Sequence, residues 1–137
     1  MRRITIYFFA LCATLFGSLA VVAQERDSLP ADSTTQAATE QMPKDEQALC
    51  REQWDAGNRA YMEGDFAKAT ECYQSILGRG LYSAKLYYNL GNAAFKLGKT
   101  GEAILYYNKA LKIAPSDDDV RYNLAIAEAQ TKDKITV

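Results

Sequence analysis

The chain has 137 residues, of which 48% are hydrophobic and 24% charged, so it is long enough to fold into one packed domain. Its 16 basic residues nearly balance its 17 acidic residues and form no stripe along one face, which argues against nucleic acid as a partner. The sequence contains no histidine, which excludes histidine-dependent catalytic triads and most zinc sites. We therefore predict a protein that is not an enzyme and needs no cofactor.

Residues 1–23 have the pattern of an export signal. Two arginines follow the initial methionine, and the mostly apolar run after them ends in small side chains of the kind that signal peptidase reads. This pattern predicts cleavage after Ala23 and an exported, periplasmic protein. The same run is about long enough to cross a bilayer, so an uncleaved membrane anchor is the alternative.

Residues 24–45 differ in composition from the rest of the chain. They include two prolines and many serine, threonine and glutamine residues, and they contain no aromatic side chain. Such a segment buries too little apolar surface to offset the entropy lost on ordering. We predict a disordered linker here, followed by a folded domain over residues 46–137.

Turn-forming residues divide this domain into helical segments. Glycines at 64, 78, 80 and 98 and the proline at 115 interrupt an otherwise helical pattern. The segments between them predict an all-α fold of about five helices, at about 46–62, 66–77, 83–97, 101–113 and 117–131.

Two cysteines of the predicted domain, Cys50 and Cys72, raise the question of a disulfide in an oxidising compartment. In a helical hairpin they would lie about 10 Å apart along the axis. A disulfide needs Cα atoms within about 7 Å of each other. We therefore favour two unpaired thiols over a bridge.

Residue types recur at intervals of 34 along the predicted domain. Trp54, Tyr88 and Tyr122 form one column of this repeat, and Gly57, Gly91 and Ala125 form another. A helical hairpin of this length cannot bury its apolar face alone, so successive units stack into a solenoid with a concave surface. The period thus predicts a solenoid of helical hairpins with two and a half units, at 50–83, 84–117 and 118–137.

The second unit resembles the tetratricopeptide repeat. The matching positions are Tyr87, Leu90, Gly91, Asn92, Ala94, Gly98, Ala103, Tyr107, Ala110 and Pro115. The first unit matches at Gly57, Asn58, Tyr61, Gly64, Ala69 and Tyr73. The resemblance implies a scaffold that binds a protein or peptide partner in its concave groove.

Two longer stretches, residues 81–99 and 117–135, are also similar to the tetratricopeptide proteins of bacterial aerotolerance (Bat) operons. This second resemblance implies a setting in a membrane-associated envelope complex.

The first helix of each hairpin is expected to line the concave face, and residues four and seven apart on a helix share one face. The predicted partner-binding residues are Trp54, Asn58, Tyr61, Tyr88, Asn92, Phe95 and Tyr122. Aromatic rings bury large areas, and asparagine amides can both donate to and accept from a peptide backbone. The alternative is that some of these aromatic rings only fill the interface between successive units.

A structural role is the other function that the sequence leaves open. The fifth helix has no hairpin partner in the sequence, and Leu124 is among the apolar residues that we expect it to expose. Such a surface predicts a homodimer or another assembly through the last helix.

Overall fold

The computed structural model describes residues 42–135, so the predicted export signal and nearly all of the predicted linker lie outside the described residues. The described part folds into five helices: α1 (Lys44–Met62), α2 (Phe66–Gly78), α3 (Ala84–Lys96), α4 (Thr100–Ile113) and α5 (Asp118–Ile135). It contains no strand, and the predicted all-α fold is confirmed. Within this part no helix is both long enough and apolar enough to span a bilayer.

The predicted helix bounds differ from the observed bounds by at most two residues, except at the end of α5. Helix α1 begins at Lys44, inside the predicted linker, and α5 continues from the predicted end at residue 131 to Ile135. Consecutive helices pack against one another, and α3 also touches α5. The order is therefore two stacked hairpins, α1 with α2 and α3 with α4, followed by α5.

The turn inside each hairpin requires a glycine. Gly64 and Gly98 lie 34 residues apart and have φ angles of 84° and 75°, which are strained for other residues. The helix that follows the first of these turns is capped by Asp65, whose side chain accepts a hydrogen bond from the backbone amide of Lys68. The repeat therefore fixes where both hairpins reverse.

The core is centred on two tyrosines, one from the second helix of each hairpin. Tyr73 and Tyr107 are among the largest fully buried side chains, and each ring lies against a glycine of the preceding helix. A Cβ atom at Gly57 would lie 2.6 Å from Cε1 of Tyr73, and one at Gly91 would lie 2.5 Å from Cε1 of Tyr107. The glycine column of the repeat exists because no other residue leaves room for these rings.

Both cysteines of the described part are buried, and their thiols are free. Cys50 has no solvent exposure, and burial raises the pKa of its thiol. The two thiols therefore behave as small apolar core residues.

The position of Leu124 on helix α5 differs from the prediction. Leu124 was expected to be exposed, but it is half-buried and packs against the core cluster of the second hairpin. It shares a helix face with Val120 and Ala127, which are both buried in that cluster. The exposed apolar residues of α5 lie on the opposite face.

Candidate protein-binding groove

Two adjoining cavities run along one side of the solenoid. They have volumes of about 280 Å³ and about 300 Å³ and share Tyr61 and Asn92 in their walls. The first is also lined by Tyr88, Phe95, Lys96, Tyr107, Asn123 and Ile126, and the second by Asn58, Met62, Tyr73 and Asn89. We refer to the two cavities together as the groove.

The groove walls come from the first helix of each unit, α1, α3 and α5. The second helices contribute only Tyr73 and Tyr107. This arrangement follows from the repeat, because helices at equivalent positions of stacked units present the same face to one side.

A hydrogen-bonded triad joins the first unit to the second. The hydroxyl of Tyr73 donates to Oδ1 of Asn58 at 2.8 Å. Nδ2 of Asn89 donates to the same Oδ1 at 3.3 Å and to the hydroxyl oxygen of Tyr73 at 3.5 Å. A polar link of this kind fixes how the two units sit side by side.

The same triad recurs 34 residues later. The hydroxyl of Tyr107 donates to Oδ1 of Asn92 at 2.7 Å, and Nδ2 of Asn123 donates to that oxygen at 3.0 Å. Asn123 also donates to the hydroxyl oxygen of Tyr88 at 3.2 Å. The junction between the second unit and α5 is therefore built like the junction before it.

Burial keeps the tyrosine hydroxyls of both triads protonated. It raises the pKa of Tyr73 to about 12 and raises the pKa of Tyr107 in the same direction. Both phenols therefore remain hydrogen-bond donors at any physiological pH.

The triads decide which amide groups are left for a partner. Oδ1 of Asn58 and of Asn92 each accept two hydrogen bonds, whereas no hydrogen bond within residues 42–135 uses their Nδ2 groups. Asn89 and Asn123 show the reverse pattern, because their Nδ2 groups donate and their Oδ1 atoms accept no bond in the described part. The groove thus offers two amide donors and two amide acceptors.

The structure brings five of the seven predicted partner-binding residues into the groove. These are Asn58, Tyr61, Tyr88, Asn92 and Phe95. Trp54 lines neither cavity, because its side chain is only 6% exposed and its ring packs 5.8 Å from that of Tyr73. Tyr122 also lines neither cavity, although 69% of it is exposed.

Seven lining residues were not among the predicted ones, and three of these seven are polar side chains on α3 and α5. Asn89 and Asn123 lie 34 residues apart, so the column comparison that selected Asn58 and Asn92 could have selected them too. Lys96 is the only charged residue that lines either cavity in the described part. No repeat signal marks Lys96.

Comparison with known proteins supports the repeat directly. Residues 84–117 match the family described as Tetratricopeptide repeat. The chain is 40% identical over 63 residues to the inactive peptidyl-prolyl cis-trans isomerase shutdown of Bombyx mori, and this match covers 46% of the chain and 14% of that protein. It is 33% identical over 67 residues to the peroxisomal targeting signal receptor of Saccharomyces cerevisiae, which covers 49% of the chain and 11% of the receptor.

The chain spans less than a sixth of the length of either relative. Stacked repeats of this kind serve as interaction surfaces and are generally not catalytic. Residues 84–117 therefore match a tetratricopeptide repeat, a kind of helical unit that serves as a surface for protein–protein interaction.

Proposed function

We propose that this protein is a non-enzymatic, exported scaffold that binds an extended segment of a partner protein in the groove. The observation that carries the proposal is the repeated triad, which leaves amide donors and acceptors in the groove at each junction. An extended peptide carries unpaired backbone N–H and C=O groups that complement them. Recognition of the backbone also fits the yeast relative, which is a receptor for a targeting signal.

Apolar side chains of the partner would occupy the cavities. Tyr61, Phe95 and Ile126 supply apolar wall, and each cavity of about 300 Å³ is at the small end of the range for ligand sites. Each cavity would then hold one large side chain. With so few anchors we expect a dissociation constant of about micromolar order.

Charge sets the expected preference of the first cavity. Lys96 lies on its wall and its side chain is exposed. An acidic residue next to the apolar anchor of the partner would face this ammonium group, a pairing that gives specificity more than affinity. The groove would therefore select acidic segments that also carry a large apolar side chain.

The sequence supports an envelope setting for this scaffold. Residues 1–23 have the export pattern, and residues 81–99 and 117–135 are similar to the proteins of aerotolerance operons. We propose a periplasmic location within a membrane-associated complex. N-terminal sequencing of exported protein tests this part: a chain that begins at Gln24 supports cleavage, and retention of residues 1–23 supports the anchor.

A displayed library of random peptides tests the groove. We expect the protein to enrich peptides that combine an aromatic or large aliphatic residue with an acidic one. Phe95→Ala and Lys96→Glu should each weaken binding of the enriched peptides by about tenfold. Leu105→Ala is the matched control, because Leu105 is 52% exposed on α4 and lines neither cavity. The proposal fails if no peptides are enriched or if the groove variants bind as well as the control.

A further inference from the structure

Helix α5 presents a second apolar stripe to solvent. Tyr122, Ala125, Ile126 and Ala129 are all exposed and have the spacing of one helix face, and we call this stripe the end face. It lies opposite the stripe that packs on α4, so α5 is apolar on two sides. A helix with two apolar faces is typically covered on both.

A hairpin partner like those of the two complete units would fit the end face poorly. In the two complete units a tyrosine ring lies on a glycine, and its hydroxyl donates to the next residue, an asparagine. In α5 these two positions are Ala125 and Ile126. The Cβ atom of Ala125 would occupy the space of the ring, and Ile126 offers no side-chain acceptor for the hydroxyl.

The end face instead carries both partners of a contact in which a tyrosine ring packs on small residues. Tyr122 is 69% exposed, and the small residues Ala125 and Ala129 follow it on the same stripe. The Tyr122 ring cannot pack on alanines of its own helix in this way. We propose that a second copy of this chain covers the end face, with the two α5 helices antiparallel and crossing at Ala125.

In this arrangement each Tyr122 ring lies over the small residues of the other copy. The interface is isologous, since the same patch is used by both subunits. The alanine side chains at the crossing allow the two helix backbones to approach closely. Within one chain, Tyr73 and Tyr107 each pack a ring on a glycine. The contact between the two copies is of the same type, but the small residue is alanine and the ring is placed differently.

Charge favours the antiparallel orientation. Asp118 and Lys132 lie seven residues before and seven after Ala125, on the same side of α5. An antiparallel crossing at Ala125 therefore places Asp118 near the partner subunit's Lys132, twice by symmetry. A parallel pair would instead bring the two Asp118 side chains together. Asp118 is 90% exposed and holds Arg121 at 3.0 Å, so the new pairs would select orientation more than they would add affinity.

The size of the interface sets the expected affinity. One pair of helices with small side chains at its centre buries less than the roughly 1,200 Å² of the smallest stable interfaces. We therefore expect a weak dimer, with a dissociation constant of order ten micromolar. The end face shares Ile126 with the groove wall, but Tyr122, Ala125 and Ala129, which make the proposed contact, line neither cavity, so the inference does not depend on the proposed function.

Sedimentation equilibrium of the exported chain over about 1 to 300 µM tests the proposal, with the peptide assay above run in parallel. We expect a monomer–dimer equilibrium that Ala125→Glu abolishes. Ala67→Glu is the matched control, because Ala67 is an exposed helical alanine of α2, and it should leave the equilibrium unchanged. Far-UV circular dichroism verifies that both variants are folded.

Charge reversal tests the orientation. Asp118→Lys and Lys132→Asp should each weaken the dimer several-fold, and the double variant should restore it. A monomer at every concentration overturns the proposal, as does a dimer that persists in Ala125→Glu. If the double variant does not regain dimerisation, the antiparallel orientation is wrong. If the monomeric Ala125→Glu variant still binds peptide, the dimer and the groove are independent, and each proposal can fail without the other.

Discussion

Gly91→Ala is the most direct test of how the core is assembled. The added Cβ would lie 2.5 Å from Cε1 and 2.6 Å from Cδ1 of Tyr107, about 1 Å closer than ordinary van der Waals contact. The ring has no room to retreat, because it is 1% exposed and its hydroxyl is held by Asn92 at 2.7 Å. Relief requires both routes, a shift of α4 against α3 and loss of that hydrogen bond.

The expected cost follows from these two routes. Overpacking of a dense core costs about 1 to 3 kcal/mol, and loss of the hydrogen bond costs about 1 kcal/mol more. Replacing glycine by alanine within a helix stabilises the helix by about 1 kcal/mol. The net loss in the free energy of unfolding is therefore about 2 kcal/mol, which lowers the melting temperature of a domain of this size by about 8 to 16 °C.

Urea unfolding followed by circular dichroism measures this loss, and Gly101→Ala is the control. Gly101 lies in α4 with no heavy atom within 4 Å of its would-be Cβ, so this substitution should be neutral or slightly stabilising. If Gly91→Ala unfolds within about 0.5 kcal/mol of Gly101→Ala, close ring packing does not explain the glycine column.

Two further predictions concern the buried tyrosines. The contribution of Tyr73 to stability should fall as the pH rises from about 10 towards 12, because the folded state raises the pKa of Tyr73 from 10.0 to about 12; the loss reaches about 3 kcal/mol for this group. Urea titrations between pH 9 and 11.5 measure it, and a flat profile would contradict the burial of the phenols. Tyr107→Phe should cost about 1 to 2 kcal/mol, because Oδ1 of Asn92 loses its shortest hydrogen bond. Tyr122→Phe should change thermal stability by less than about 0.5 kcal/mol, since that side chain is 69% exposed, and equal effects of the two substitutions would refute the triad.

Local chemistry made most of the fold predictable. Glycines with positive φ and a proline end the helices where they stand in the sequence, so the helix bounds could be read with small errors. The 34-residue period then implied the stacking of the hairpins. The end of α5 was harder to predict, because no glycine or proline follows residue 131.

The candidate site was less predictable than the fold. Trp54 and Tyr88 occupy one column of the repeat, yet Trp54 is buried while Tyr88 lines a cavity. Position along a helix gives the face of a side chain but not how far the neighbouring unit covers it. Asn58 and Asn92 were predicted as polar groove residues, but their use in the part-buried triads depends on tyrosines 15 residues away, which only the packed hairpin brings within reach.

The triads have a consequence for how such a surface can grow. Each asparagine pair draws one member from either side of a junction, and the residues at both ends of the unit 84–117 fit the same junction geometry. A tandem duplication of that unit would create a further intact triad without any other substitution. The reach of the groove therefore increases in whole-repeat steps, which lets gene duplication lengthen a recognition surface while its chemical pattern stays the same.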